Sequence, residues 1–123
     1  MFTIDPMSRC PVYEQLINQV EKYILLDLLP VGTQLPSVRA LSVSLSVNPN
    51  TIQKAYSDLD SKKIIFSVPG KGCFVADNAK EILQELQRKR LFELKSTLSE
   101  LKLAGIEKSE VEKLLLEVFD ERR

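Results

Sequence analysis

Between Leu35 and Tyr56 the chain reads LPSVRALSVSLSVNPNTIQKAY, a stretch that admits few folds other than two short helices joined by a tight turn. Ser37 can cap the first helix by accepting from free backbone N–H groups, and Val38, Leu41 and Leu45 then share one face at helical spacing. Ser46-Val47-Asn48 breaks the pattern. Asn48 restarts it as an N-cap, with Pro49 at the first helical position, where a missing N–H costs nothing. Ile52, Ala55, Tyr56 and Leu59 form the inner face of this second helix, leaving Asn50, Thr51, Gln53, Lys54 and Ser57 outside. A capped helix whose early exposed turns carry amides, a hydroxyl and a lysine suits the floor of a DNA major groove. Amides pair with adenine, and a lysine reaches a phosphate or guanine.

The flanking segments fit this unit. Pro11 opens a helix, PVYEQLINQVEKYILLDLL, in which Val12, Leu16, Val20, Ile24 and Leu28 recur at four-residue steps, widened by Ile17 and Leu25. Glu14, Gln15, Asn18, Gln19, Glu21 and Lys22 belong mainly to its solvated side, and Pro30 and Gly32 end it. Residues 1–10 are extended and irregular. After Tyr56 the helix continues through SDLDSKK. Ile64 to Val68 and Cys73 to Val75 are two β-rich runs around Pro69-Gly70-Lys71-Gly72, which reads as a hairpin with Lys71 at its tip. A bare hairpin is marginal alone and must lean on the helices. Directly after a helix-turn-helix it is a wing.

Formal charge is zero overall, which by itself argues against a nucleic-acid partner; its distribution matters more. Residues 36–75 hold five positive and two negative side chains, a net of +3, whereas residues 1–35 and 76–123 net −2 and −1. The excess sits where DNA contacts are expected, and its modest size implies strong salt sensitivity. The absence of histidine, the lack of paired cysteine spacing for Cys10 and Cys73, and the lack of a phosphate-loop motif leave no support for an enzyme, a metal or a cofactor. The two cysteines read as ordinary reduced thiols. No apolar run approaches the roughly 20 residues of a membrane span, and the N-terminus lacks a signal-peptide pattern. A cytoplasmic protein is the expectation.

From Asn78 the composition shifts to glutamate, lysine, leucine and glutamine. Ile82, Leu83 and Leu86, then Leu91, Leu94, Leu98 and Leu101, suggest one long amphipathic helix closed by Gly105. Ser109-Glu110-Val111-Glu112 matches a capping box for a final helix with Val111, Leu114, Leu115, Val118 and Phe119 on its apolar face, before the chain ends in charge. This stripe could pack on the chain's own first helix or on a second copy. The length of the tail and the coiled-coil-like spacing of Leu91 to Leu101 favour the second copy, with Leu91, Leu94, Leu98, Leu101, Leu114, Leu115 and Val118 at the seam.

The segments P-V-Y-E-Q, L-L-P-V-G-T-Q-L-P-S-V-R-A-L, V-N-P-N-T-I-Q-K-A-Y and the G-K-G turn with F-V behind it together carry a resemblance to the winged-helix domain of GntR-type bacterial transcriptional regulators, over residues 11–75. The short remainder is similar to the YtrA-type subgroup. The resemblance implies a winged helix-turn-helix domain over residues 1–76 and an α-helical dimerisation tail over residues 77–123, in a mainly α fold with a small β-hairpin. It implies double-stranded DNA as partner, a homodimer, an inverted-repeat operator with half-sites about one helical turn apart, and repression as the output. By the same resemblance the DNA-contacting positions are Ser37 and Arg39, then Asn48, Pro49, Asn50, Thr51, Gln53 and Lys54, then Gly70, Lys71 and Gly72. Arg39 has an independent reason, since a guanidinium grips a phosphate or a guanine edge. Some GntR families carry arginines where Pro49 and Gln53 stand here, so their base preference does not carry over. The competing class is a protein-interaction module without specific DNA binding, which would require exposed aromatics. Residues 76–123 leave little room for a ligand pocket, so a small-molecule effector is left open.

Overall fold

The computed structural model describes residues 1–120; the charged end, Glu121-Arg122-Arg123, lies outside the described residues. Among the described residues six helices and two strands follow one another as α1 (Val12–Leu25), α2 (Val38–Leu45), α3 (Pro49–Ser61), β1 (Ile65–Val68), β2 (Gly72–Val75), α4 (Ala79–Arg88), α5 (Leu91–Leu103) and α6 (Lys108–Asp120). Two compact units result, Met1–Glu85 and Leu86–Arg123. The fold is the expected one, mainly helical with an antiparallel hairpin.

In the first unit α1 and α2 both pack on α3. Leu16, Ile17, Val20 and Ile24 of α1 meet Leu41 of α2 and Ile52, Ala55, Tyr56 and Leu59 of α3, all buried. Burying each larger aliphatic side chain contributes roughly 1.5–3 kcal/mol, which fixes the three helices against one another. Ile64, Ile65 and Val75 extend this core under the hairpin, and Ala79 and Leu83 of α4 add to it. The first four residues of the stripe expected on α1 include the half-buried Val12, but its last, Leu28, is 55% exposed and Leu29 is buried in its place. The helix ends at Leu25, before Pro30 and Gly32, because Asp27 turns into the left-handed region (φ 61°). Asp27 N–H then bonds the Ile24 carbonyl at 3.1 Å and Leu28 N–H the Tyr23 carbonyl at 2.8 Å, the paired closure of a Schellman motif. Ser46 (φ 55°) ends α2 and Lys63 (φ 65°) ends α3 in the same way.

The strands pair Ile65 with Val75, Phe66 with Phe74, Ser67 with Cys73 and Val68 with Gly72. The hairpin gains a third neighbour as well as the expected helices. The linker after α1 pairs with the other edge of β2, through Gly32 N–H to the Val75 carbonyl, Val75 N–H to the Thr33 carbonyl and Leu35 N–H to the Cys73 carbonyl, each at 2.9 Å. A Gln34–Phe74 bridge lies within this run.

Residues 1–5 are likewise held, where the sequence offered nothing to fix them. Thr3 N–H bonds Gln19 Oε1 at 2.9 Å, while Gln19 Nε2 donates back to the Thr3 carbonyl. Gln15 does the same for Asp5, at 2.9 Å in both directions, and also donates to the Cys10 carbonyl at 2.8 Å. Tyr23 donates to the Met1 carbonyl at 3.1 Å and its ring lies 5.7 Å from that of Phe2. Gln15, Gln19 and Tyr23 stand at four-residue steps on α1, so they form one ladder under an extended arm. The two glutamines are therefore not solvated-face residues.

The long helix expected after Asn78 is two helices. The step from Leu86 to Leu91 is five residues, which throws the apolar stripe out of phase, and Arg88-Lys89-Arg90 sets three cations in a row there. The chain tightens at that point, with Arg90 N–H on the Gln87 carbonyl at 2.9 Å. In the second unit α5 closes through Gly105 (φ 90°), as the sequence suggested. The capping box does not form. α6 begins at Lys108, placing Ser109 inside the first turn, and Glu112 pairs with Lys108 at 3.6 Å instead of reaching back to a cap. Neither α5 nor α6 has a buried residue. Leu98, Leu101, Ile106 and Val111 line a cleft of about 570 Å³ in this unit.

Candidate nucleic-acid interface

The second helix of the helix-turn-helix is built as its sequence requires. Asn48 Oδ1 accepts from Asn50 N–H at 2.8 Å, and Pro49 occupies the first turn. Ser37 Oγ accepts from Ala40 N–H at 3.0 Å and caps α2. Between the helices, Ser46 N–H bonds the Val43 carbonyl and Val47 N–H the Ser42 carbonyl, and Ser42 Oγ also donates to the Val47 carbonyl. This short left-handed link lays α3 across α2. Tyr56, on the inner face of α3, donates its hydroxyl to the Pro36 carbonyl at 2.6 Å. That bond ties α3 to the residue just before the Ser37 cap. Burial, with a smaller contribution from Cys73, drives the Tyr56 phenol well above its ordinary pKa. Its hydroxyl is thus a structural tie and is not offered to a phosphate.

Of the eleven positions expected to meet DNA, ten are exposed: Ser37, Arg39, Asn48, Pro49, Asn50, Gln53, Lys54, Gly70, Lys71 and Gly72. Thr51 is half-buried. Arg39 makes no ion pair among the described residues, so the carboxylate partner that would have made it a plain surface ion pair is missing there. Gln53 Nε2 donates to Ser57 Oγ at 3.1 Å, one turn on along α3.

At the wing, Lys71 N–H bonds the Val68 carbonyl at 2.9 Å around Pro69-Gly70, with Gly70 at φ 76°. That is the type II pattern, proline second and glycine third. Gly72 has φ 125°, a conformation that L side chains rarely adopt, and a Cβ there would lie 2.8 Å from Gln34 Nε2 and displace that amide. The same Gln34 amide donates to the Lys71 carbonyl at 2.8 Å. The linker that pairs with β2 therefore also braces the wing tip and leaves the Lys71 side chain outside.

Two features escaped sequence reasoning. Lys54 Nζ stands 3.8 Å over the ring of Tyr13, at the start of α1, which fixes the direction of the ammonium. Tyr13 donates to Glu14 Oε1 at 3.2 Å, and that neighbouring carboxylate raises the phenol's pKa, keeping the ring neutral beneath the cation. No local pattern signals this contact, because α1 and α3 meet only in the tertiary fold. The second feature is an aromatic pair on the outer face of the wing. Phe66 and Phe74 stack at 5.7 Å, with Phe66 43% exposed, although strand alternation from the buried Ile65 and Val75 would have placed them there. Cys10 and Cys73 are free thiols. Desolvation and then the Glu14 carboxylate, 3.7 Å from Cys10 Sγ, raise the Cys10 pKa, which opposes a reactive thiolate.

The seven tail residues expected at a dimer seam are all exposed, Leu91 and Leu114 at 60%. Phe92, Leu103, Leu116 and Phe119, outside that expected set, are exposed as well. Among the described residues no helix is long and apolar enough to cross a membrane.

Comparison with known proteins bears on this geometry. The family model described as "Bacterial regulatory proteins, gntR family" matches residues 12–75. The HTH-type transcriptional repressor YtrA of Bacillus subtilis is 36% identical over 119 residues, covering 96% of this chain and 92% of that protein. A crystal structure of a transcriptional regulator from Oenococcus oeni superposes with a TM-score of 0.74 at 30% identity, covering 97% of this chain and 99% of the other. A crystal structure of the DNA-binding domain of AraR in complex with operator ORX1 gives a TM-score of 0.54 at 30% identity, covering 61% of this chain and 93% of that one.

Proposed function

The chain belongs to the GntR family of bacterial regulatory proteins, as a transcriptional regulator of the YtrA type with a winged-helix DNA-binding domain, and from that premise we propose that it is a repressor that binds an inverted-repeat operator as a homodimer. The observation that carries this reading is the exposed polar set Arg39, Asn50, Gln53, Lys54 and Lys71, displayed by α2, α3 and the wing of one rigid core. α3 enters the major groove. Ser37 and Arg39 at the start of α2 hold the phosphate backbone, and Lys71, presented by Gly70 and Gly72, holds it from the wing. The Bacillus relative is a transcriptional repressor, which supports repression here, and occupying a promoter is the proposed means. The wing ends near residue 76, the compact unit that carries it runs on to Glu85 with the first turns of α4, and the α-helical tail beyond assembles the dimer.

Dimerisation is supported by the second unit. Leu91, Leu94, Leu98, Leu101, Leu114, Leu115 and Val118 leave more apolar surface in water than an isolated soluble unit tolerates. A dimer that reads such an operator needs its two recognition helices about 34 Å apart, one turn of DNA. The double variant Leu94→Asp, Leu98→Asp tests it by light scattering. The expected product is a monomer that holds a half-site weakly; a variant that remains dimeric puts the interface elsewhere.

A second reading, a winged domain serving as a protein-interaction module, is favoured by one observation, the Phe66–Phe74 pair on the wing. Phe66→Ser distinguishes the two. Retained operator affinity assigns the pair no part in DNA binding, and loss of a protein partner with DNA binding intact assigns it to that partner.

A further inference from the structure

The polar side chains of α3 are not equivalent once their partners are counted. Asn48 has its carbonyl oxygen turned onto the backbone of its own helix by the cap bond, which holds its amide at the helix start and away from a bidentate pose on a base edge. Pro49 has no polar side-chain atom, and Thr51 is half-buried. Lys54 is drawn toward α1 by the Tyr13 ring, in position for a phosphate at the groove edge. Two amides are left. Asn50 has no side-chain partner among the described residues. Gln53 spends one N–H on Ser57 Oγ and keeps its carbonyl oxygen and second N–H. An amide with one oxygen and one N–H to give is the complement of adenine, whose N6 amino group donates and whose N7 accepts in the major groove. Residues three apart on a helix are neighbours on its surface, separated by roughly 4.5 Å along the axis, close to the roughly 3.4 Å step of DNA.

We propose that Asn50 and Gln53 set the base preference of this protein by reading adenines at neighbouring base pairs in each half-site, with Ser57 orienting the Gln53 amide. This rests on the DNA-binding reading above and goes beyond it by naming the bases. Ser57 is a positioning residue: it touches no base and acts by holding Gln53 in one rotamer.

The test is selection of the intact chain on duplexes with a randomised core, followed by binding titrations in which each selected adenine is replaced by 7-deazaadenine. That analogue removes only the N7 acceptor. The expected half-site carries adjacent A·T pairs, and wild-type affinity falls roughly tenfold or more at each of the two deaza positions, one lost with Asn50→Ala and the other with Gln53→Ala. Gln53→Ala is expected to lose the same affinity on normal DNA and nothing further on the deaza duplex. Gln53→Glu, a carboxylate that accepts from cytosine N4, is expected to move the preference at that base pair from adenine to cytosine. Ser57→Ala should narrow the adenine-over-guanine ratio while leaving the salt dependence of binding unchanged, with recovery in Ser57→Thr. Selected sites read through guanine, or variants that keep the wild-type preference, overturn the inference while leaving DNA binding in place. A folded chain that enriches no sequence overturns both. Both amide side chains are exposed, and circular dichroism of each variant checks that its helices are kept.

Discussion

Removing one oxygen at Tyr56 tests how the recognition helix is held. In Tyr56→Phe the ring still fills its buried place on the inner face of α3, but the 2.6 Å bond to the Pro36 carbonyl is gone. A neutral hydrogen bond contributes about 0.5–1.5 kcal/mol net, and the upper end applies here because the deletion also strips a carbonyl of its partner. For a domain of this size about 1.5 kcal/mol lowers Tm by about 6–12 °C, readable by thermal melts at pH 7. The pH dependence adds a second signature. The folded state raises the phenol's pKa, so the stability linked to that proton is complete below the unfolded value of about 10 and is lost as pH rises beyond it. The wild-type chain should therefore lose an extra 1.4 kcal/mol or so per pH unit above about 10, relative to the variant, which has no phenol at this position. The gap between the two proteins closes near pH 11. A melting difference under 2 °C at pH 7, or a gap constant to pH 11, would show that the hydroxyl does not tie α3 to Pro36.

Three further outcomes follow from other contacts. Arg39→Ala and Lys71→Ala should each weaken operator binding about tenfold, reduce the salt slope by roughly one unit and leave Tm unchanged, since both side chains are exposed; an unfolded Lys71→Ala protein would remove it from the wing tip. The double change Gln15→Ala, Gln19→Ala should release the N-terminal arm, seen as loss of amide-exchange protection at Thr3 and Asp5, and unchanged exchange would show that other contacts hold it. Lys63→Gly should raise the urea midpoint by the equivalent of about 0.5–1 kcal/mol, because a left-handed lysine at the end of α3 is strained and glycine there is not; a lower midpoint would mean that the lysine side chain contributes more than its backbone costs.

What the sequence disclosed depended on whether the signal was periodic. Ile52, Ala55, Tyr56 and Leu59 are spaced for one helix face, and all four are buried. The caps at Ser37 and Asn48 were readable because a cap is a local bond between near neighbours. The helix ends were harder. Asp27, Ser46 and Lys63 take the left-handed turn that Gly105 advertises, yet none is a glycine, so α1 extended too far on paper. Leu28, which helical spacing alone would bury, is therefore exposed. The ladder of Gln15, Gln19 and Tyr23 under the arm, and the linker strand beside β2, rest on pairings between separated segments that no window of sequence contains. At the interface, exposure of the polar set was legible, but its sorting was not. That Asn48 is spent on a cap could be read locally; that Lys54 rests on Tyr13 could not.

The most direct measurement is fluorescence anisotropy of the intact chain against duplex DNA from upstream of its own gene, beside a scrambled duplex of equal composition, at two salt concentrations. The expected result is tighter binding to the upstream duplex that persists at the higher salt, with two chains per duplex. Equal binding to both duplexes, erased by salt, would contradict it, leaving a basic surface with no base readout.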